Sequence, residues 1–252
     1  MKDASVRMLV IINAATGLAL LVAAVATAAT GASRPRVTLA VEASFGAHGD
    51  DPVRMVLGHV DLVLAVAVVL TFVSVLRFVA SRAVTRQWWL SAVDGDRHGL
   101  RWIELSQVGG ITVFLVAQLN GIRDIPALVL LYAMAAASPL LLVLHDRRSD
   151  RRRAGLLAYS FGTAIAIVPW GVIAFAQIGG GLAGVSPSVG VRVVTIVMLA
   201  LVALAWAAAW AAAQRPGPGP DAPARAEAVQ LVLLAVAPLA LSGLCVSLVV
   251  PA

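Results

Sequence analysis

The sequence predicts an all-α membrane protein, a bundle of seven transmembrane helices. Two observations carry that reading. Hydrophobic residues make up 60% of the 252 positions and charged residues only 13%, about half the share in a soluble domain. The charges also fall in short clusters between long apolar runs. In lipid each backbone polar group must find its partner within its own segment, so such runs span as helices. A short β-hairpin in the first loop is the one expected departure from helix. We expect a single domain over residues 1–252.

The first span is expected at about 8–30. Lys2 and Arg7 before it, and Ala26-Thr27-Ala28 near its end, also fit a signal peptide. The apolar run is longer than a signal core, however, and Asn13 and Gly17 give it a polar, close-packing face that a discarded peptide has no use for. Residues 31–54 form a polar connection containing His48. Within it Arg36-Val37-Thr38-Leu39-Ala40-Val41-Glu42 has strand-like composition. Span two is expected at about 55–80 and holds His59, Asp61 and Arg77. The loop 81–100 carries Arg82, Arg86, Asp94, Asp96 and Arg97, with Trp88-Trp89 as interface anchors.

Span three, about 101–122, opens on Arg101-Trp102-Ile103-Glu104-Leu105-Ser106. It places a carboxylate one turn inside the membrane, where a charge needs a partner or a task. Span four follows at about 125–144. A charged cluster from His145 to Arg153 then leads to span five, about 154–178, which contains Pro169-Trp170. A Gly-rich turn at 179–187 precedes span six, about 188–213, whose Trp206-Ala207-Ala208-Ala209-Trp210 end lets a neighbour approach closely. The segment 214–226 reads as a Pro/Gly linker. Span seven is expected at about 227–250.

Of the 19 basic residues, 13 lie on the side of the N-terminus, 5 on the other side, and Arg77 lies inside span two. That asymmetry predicts a cytoplasmic N-terminus and an extracellular C-terminus. The formal charge of +6 belongs to membrane-flanking arginines that set topology and touch anionic lipid; it does not point to nucleic acid. Cys245 is the only cysteine, which excludes an internal disulfide and any cysteine-based metal site. Neither a metal-ligand cluster nor a nucleophile–base pair is evident, so an enzyme is not expected.

Four groups of residues carry chemistry inside the spans. Arg77 and Glu104 each sit about four residues from the same loop, so antiparallel packing brings them to similar depth. They are either a structural ion pair, with Arg77 snorkelling as a variant of that reading, or Glu104 faces a central pocket with Ser106 nearby. His59 and Asp61 would line a hydrated outer vestibule or form a proton relay. Pro169 kinks span five and sets the Trp170 indole in the bundle. Gln118 and Asn120 are placed to hydrogen-bond a neighbouring helix.

Several of these patterns together resemble the heliorhodopsins, a rhodopsin-like group of inverted orientation. The similar features are Asn13 and Gly17, Arg101-Trp102-Ile103-Glu104, and the run from Ala117 through Asn120-Gly121-Ile122-Arg123-Asp124-Ile125. Phe161-Gly162, Ile167-Val168-Pro169-Trp170 and the closing Val250-Pro251-Ala252 complete them. The resemblance implies retinal held as a protonated Schiff base on a lysine of span seven, with Glu104 as counterion. It puts that lysine at Pro238 or Ala237, and neither is a lysine. The only lysine of the chain is Lys2. A Schiff base needs a primary amine, and arginine cannot replace it. The sequence therefore predicts no covalent cofactor, leaving retinal, a carotenoid or another apolar ligand to bind noncovalently. Arg77 falls where the family places a histidine of an inner polar cavity, and we expect it to supply the lost positive charge. The implied role is sensory, signalling or interaction, with a homodimer contacting through residues 36–42 and an unidentified cytoplasmic partner. The alternative is a small transporter or channel using Arg77/Glu104 and His59/Asp61.

Overall fold

The computed structural model describes residues 3–34, 36–46, 53–147, 156–214, 219 and 221–249. Lys2, His48, Arg148, Arg151, Arg152, Arg153, Arg215, most of the 214–220 linker and the closing Val250-Pro251-Ala252 lie outside the described residues. In chain order the elements are α1 (Asp3–Ser33), β1 (Thr38–Phe45), β2 (Val53–Asp61), α2 (Leu62–Ser81), α3 (Ala83–Asp94) and α4 (Gly99–Leu119). They continue with α5 (Ile125–Asp146), α6 (Leu157–Leu182), α7 (Val189–Gln214) and α8 (Ala222–Val249). All except the strands and α3 are long and apolar enough to cross a membrane, giving seven spans.

The spans close into a ring. Helix α1 packs on α2 and α8, α4 on α5, α5 on α6, and α7 on α8, while α4 also touches α2, α6, α7 and α8. This central position makes α4 the most buried span, with 67% of its apolar window inside the protein against 22% for α6. Small residues set the closest approaches. A Cβ on Gly17 of α1 would stand 3.0 Å from Arg77 Cβ of α2, and one on Gly162 of α6 would meet the Trp206 ring of α7 at 2.8 Å. The central apolar cluster joins Leu20, Leu70, Val113, Trp170, Met198 and Ala235, from six different spans.

The expected hairpin is present, and it changes the second span. Strands β1 and β2 pair antiparallel from Thr38↔Asp61 to Phe45↔Val53, with a register shift at Val41/Glu42. Residues 55–61, expected as the start of span two, belong to β2. The β-branched Val53, Val56 and Val60 suit a pleated strand, and the Asp61 side chain ends it by accepting from Leu64 N at 3.0 Å, an N-cap that starts α2. His59 and Asp61 are thus outside the membrane helix.

Three other boundaries differ. The loop 81–100 contains α3, which docks through Trp89 and Val93, one turn apart and both buried. Trp88 faces outward, so only one of the paired tryptophans is available as an interface anchor. Helix α6 runs through Gly179 and Gly180 to Leu182 before the turn closes at Gly184, whose φ is +75°. Helix α8 starts at Ala222, five residues inside the segment expected as linker. Pro223 falls in its first turn, where a missing N–H costs nothing. Glu227 consequently lies within the helix and is buried.

Candidate functional site

The helix α2 carries Arg77 one turn from its end, and antiparallel packing brings it against Glu104 near the start of α4. An Arg77 Nη donates to Glu104 Oε1 at 2.6 Å, and both side chains are almost fully buried, at 2% and 4% exposure. The same nitrogen donates to the Leu231 carbonyl of α8 at 3.1 Å. The other Nη lies 3.5 Å from Asn13 Oδ1 of α1. Asn13 in turn donates to the Arg77 carbonyl and to Ser81 Oγ, both at 2.8 Å. One guanidinium therefore ties together four helices. A buried cation and anion satisfied this way are stable as a pair, and either alone is costly.

A second polar cluster lies beside it, toward the end of the bundle that holds Asp3. Arg101 precedes Glu104 by one turn on α4, and Glu227 precedes Leu231 by one turn on α8. Arg101 Nη1 donates to Glu227 Oε2 at 3.1 Å, and its Cζ stands 4.2 Å over the Trp102 ring. Glu227 also receives Trp89 Nε1 of α3 at 3.4 Å and faces His98 Nδ1 at 2.8 Å. Asp146, the last residue of α5, accepts from His98 N at 2.7 Å and from Trp102 Nε1 at 2.8 Å. Burial and the Arg101 charge act to lower the pKa of His98. The Glu227 charge and hydrogen bonds to Asp96 and Glu227 outweigh them and hold it above its ordinary value of 6.5.

The structure separates the remaining candidates. Ser106 is fully buried but turns away from Glu104, donating to the Ala136 carbonyl of α5 at 2.7 Å. Gln118 sits at the hairpin end, where its amide donates to the Ala40 carbonyl of β1 at 3.3 Å. Its neighbour Asn120 joins α4 to Thr195 at 2.9 Å and Gln177 at 2.7 Å. Pro169 and Trp170 are buried in α6, Trp170 within the apolar cluster beside Ile173 and Met198. Ala237 is half-buried and Pro238 buried in α8, two turns beyond Leu231. His59 is exposed on β2, and Asp61 caps α2 and lies 3.9 Å from Arg36. These two therefore lie outside the span in which they were expected.

Sequence reasoning reached Arg77–Glu104 from loop symmetry. It missed the His98–Glu227–Asp146 cluster: His98 was assigned no role, position 227 marked only the start of span seven, and Asp146 fell within the charged stretch from His145 to Arg153. Their signal was their position: each lies within a turn or so of a span end, beside Trp89 or Trp102 whose indole N–H needs an acceptor once buried.

Covalent retinal does not fit the residues present. The described spans contain no lysine, and the Glu104 carboxylate is already engaged by Arg77 at 2.6 Å. No curated protein matches the chain. A family profile, that of heliorhodopsin, matches residues 7–214, from the first span through the sixth. Seven apolar helices around a central α4 and a match over most of its length establish that the chain belongs to the heliorhodopsin family.

Proposed function

We propose that this is a heliorhodopsin-family membrane protein that works without covalent retinal, in a sensory, signalling or interaction role. In this reading Arg77 holds the place of the protonated Schiff base as the cation facing Glu104. The observation that carries it is the 2.6 Å Arg77–Glu104 contact in a bundle whose spans lack lysine. A side-chain guanidinium is a permanent charge, so light cannot switch it by isomerising a bound chromophore. Any retinal or carotenoid packs noncovalently, and the apolar cluster around Trp170 is where such a ligand finds aromatic and aliphatic surface. The arginine distribution supports an N-terminus in the cytoplasm. The exposed apolar side chains of the hairpin, Phe45, Val53, Met55 and Leu57, support the homodimer contact that the family implies.

The test uses the full chain in lipid nanodiscs, incubated with all-trans retinal, reduced with borohydride and mapped by mass spectrometry. We expect no retinyl adduct on any peptide from a span. An adduct within a span, or a red-shifted band that external hydroxylamine bleaches, overturns the reading.

A further inference from the structure

Most of α4 is buried, but one stripe of it reaches the surface of the bundle. Ile103, Gln107, Ile111 and Phe114 are spaced three or four apart and so share one side of the helix. Ile103 is 46% exposed, and the other three are half-buried. Three of the four are apolar, as a lipid-facing stripe should be. The fourth is an amide near the middle of a 21-residue span. The other amides in the described spans are buried or lie toward a helix end. At mid-span no water is at hand, so a polar side chain there needs a partner from protein or ligand.

The bonds within the chain leave this amide incomplete. Gln107 Oε1 accepts from the Tyr132 hydroxyl of α5 at 2.9 Å, and Nε2 makes one long contact, 3.4 Å, to Ser106 Oγ. A glutamine amide carries two N–H donors and an oxygen with two lone pairs. One donor and one lone pair of Gln107 therefore remain open, and a group with one of each is complementary to itself. We propose that two copies of this chain meet along this stripe of α4, each Gln107 donating to Oε1 of the other across a two-fold axis. Apolar side chains gain little by leaving lipid for one another, so the amide is what selects this face for contact.

The hairpin stands over the same stripe. Gln118 is its next member, four residues after Phe114, and its amide holds the Ala40 carbonyl of β1 at 3.3 Å. Glu42 N of β1 donates to the Arg123 carbonyl in the α4–α5 turn at 2.8 Å. A second copy seated on the stripe thus continues outward onto the hairpin, whose Phe45, Met55 and Leu57 are exposed. The inference rests on the homodimer reading above and places its contact inside the bilayer.

The experiment is single-molecule photobleaching of the full chain, carrying a terminal fluorophore, in liposomes over a range of protein densities, which yields the dimer dissociation constant. We expect wild type to dimerise and Gln107→Leu to raise that constant roughly tenfold to thirtyfold, the worth of two interhelical hydrogen bonds in lipid. Tyr132→Phe, which removes only the bond within the chain, should dimerise as well as wild type. Dimerisation of Gln107→Leu at the wild-type constant overturns the inference and leaves the hairpin contact standing, whereas a wild type monomeric at every density overturns both. Tyr132→Phe weakened as much as Gln107→Leu makes the pair an internal brace and also overturns it. Should Gln107→Leu fail to fold, cysteine cross-linking in native membranes decides. Ile103→Cys should form dimers more readily than Leu18→Cys, on the 56% exposed side of α1, and equal cross-linking at the two positions overturns the proposal.

Discussion

The Arg77–Glu104 pair allows a prediction in which removing two groups costs less than removing one. Arg77→Met leaves Glu104 buried with no cation and strips the 3.1 Å bond to the Leu231 carbonyl. Breaking one partner of a buried pair costs about 3–5 kcal/mol. Glu104→Leu leaves the guanidinium buried with only a carbonyl and an amide to face it, at a similar cost. The double variant Arg77→Met/Glu104→Leu removes both charges and fills their volume with apolar side chains. Such replacements are often neutral or stabilising. Here the lost bonds to Leu231 and Asn13 leave a residual cost of about 1 kcal/mol each at most. For a chain of this size 1 kcal/mol moves the melting temperature by about 2–4 °C. Each single variant should therefore melt about 6–20 °C below wild type, and the double variant should recover most of that loss. Thermal unfolding followed by tryptophan fluorescence in identical nanodiscs measures all four proteins. Single losses that simply add in the double variant would refute the pairing, and so would two single variants with unchanged melting.

The glycine contacts and the hairpin give further expectations. Gly17→Val pushes a side chain into Arg77 Cβ at 3.0 Å and should cost about 1–3 kcal/mol, seen as a lower melting temperature with the oligomeric state unchanged. Gly162→Ala meets the Trp206 ring at 2.8 Å and the Ser138 carbonyl at 3.1 Å, so it should destabilise by a similar amount in the same assay. Placing an amine in α8, as Pro238→Lys or Ala237→Lys, should yield a retinal pigment more readily when combined with Arg77→Met, which frees Glu104; visible absorption after retinal addition reads this. Met55→Cys, on a side chain 53% exposed, should form a disulfide-linked dimer in native membranes while the buried Cys245 does not react, as shown by non-reducing electrophoresis.

The spans were legible because their signal is collective. Long apolar runs override any single residue, and every span was placed, although span two came out seven residues too long at its start. That error has a definite cause. Met55-Val56-Leu57-Gly58-His59-Val60 is as apolar as a helix end, and hydropathy does not distinguish a strand on the membrane surface from a turn of helix within it. The pairing partner, residues 38–45, was the information needed. The boundary of α8 was misjudged for a different reason. Pro-Gly repeats stop helices, but Pro223 stands where a helix can begin. The Arg77–Glu104 contact was legible from symmetry about a loop. The contacts of Arg77 to Leu231 and of His98 to Glu227 join positions 154 and 129 residues apart, and sequence spacing carries no trace of them.

Two rungs of charge, one turn apart, now join α4 to α8. One is Arg101–Glu227, and the other runs from Glu104 through Arg77 to the Leu231 carbonyl. A covalent chromophore on α8 would itself cross the bundle and supply a cation opposite Glu104. Without it, α8 has no lysine to face Glu104. The second rung is therefore made from the side: Arg77 of α2 extends between α4 and α8 and supplies both the charge and the bridge. This arrangement satisfies Glu104 at the cost of mobility, since a guanidinium bound to two helices and close to Asn13 on a third cannot move without breaking contacts in all of them.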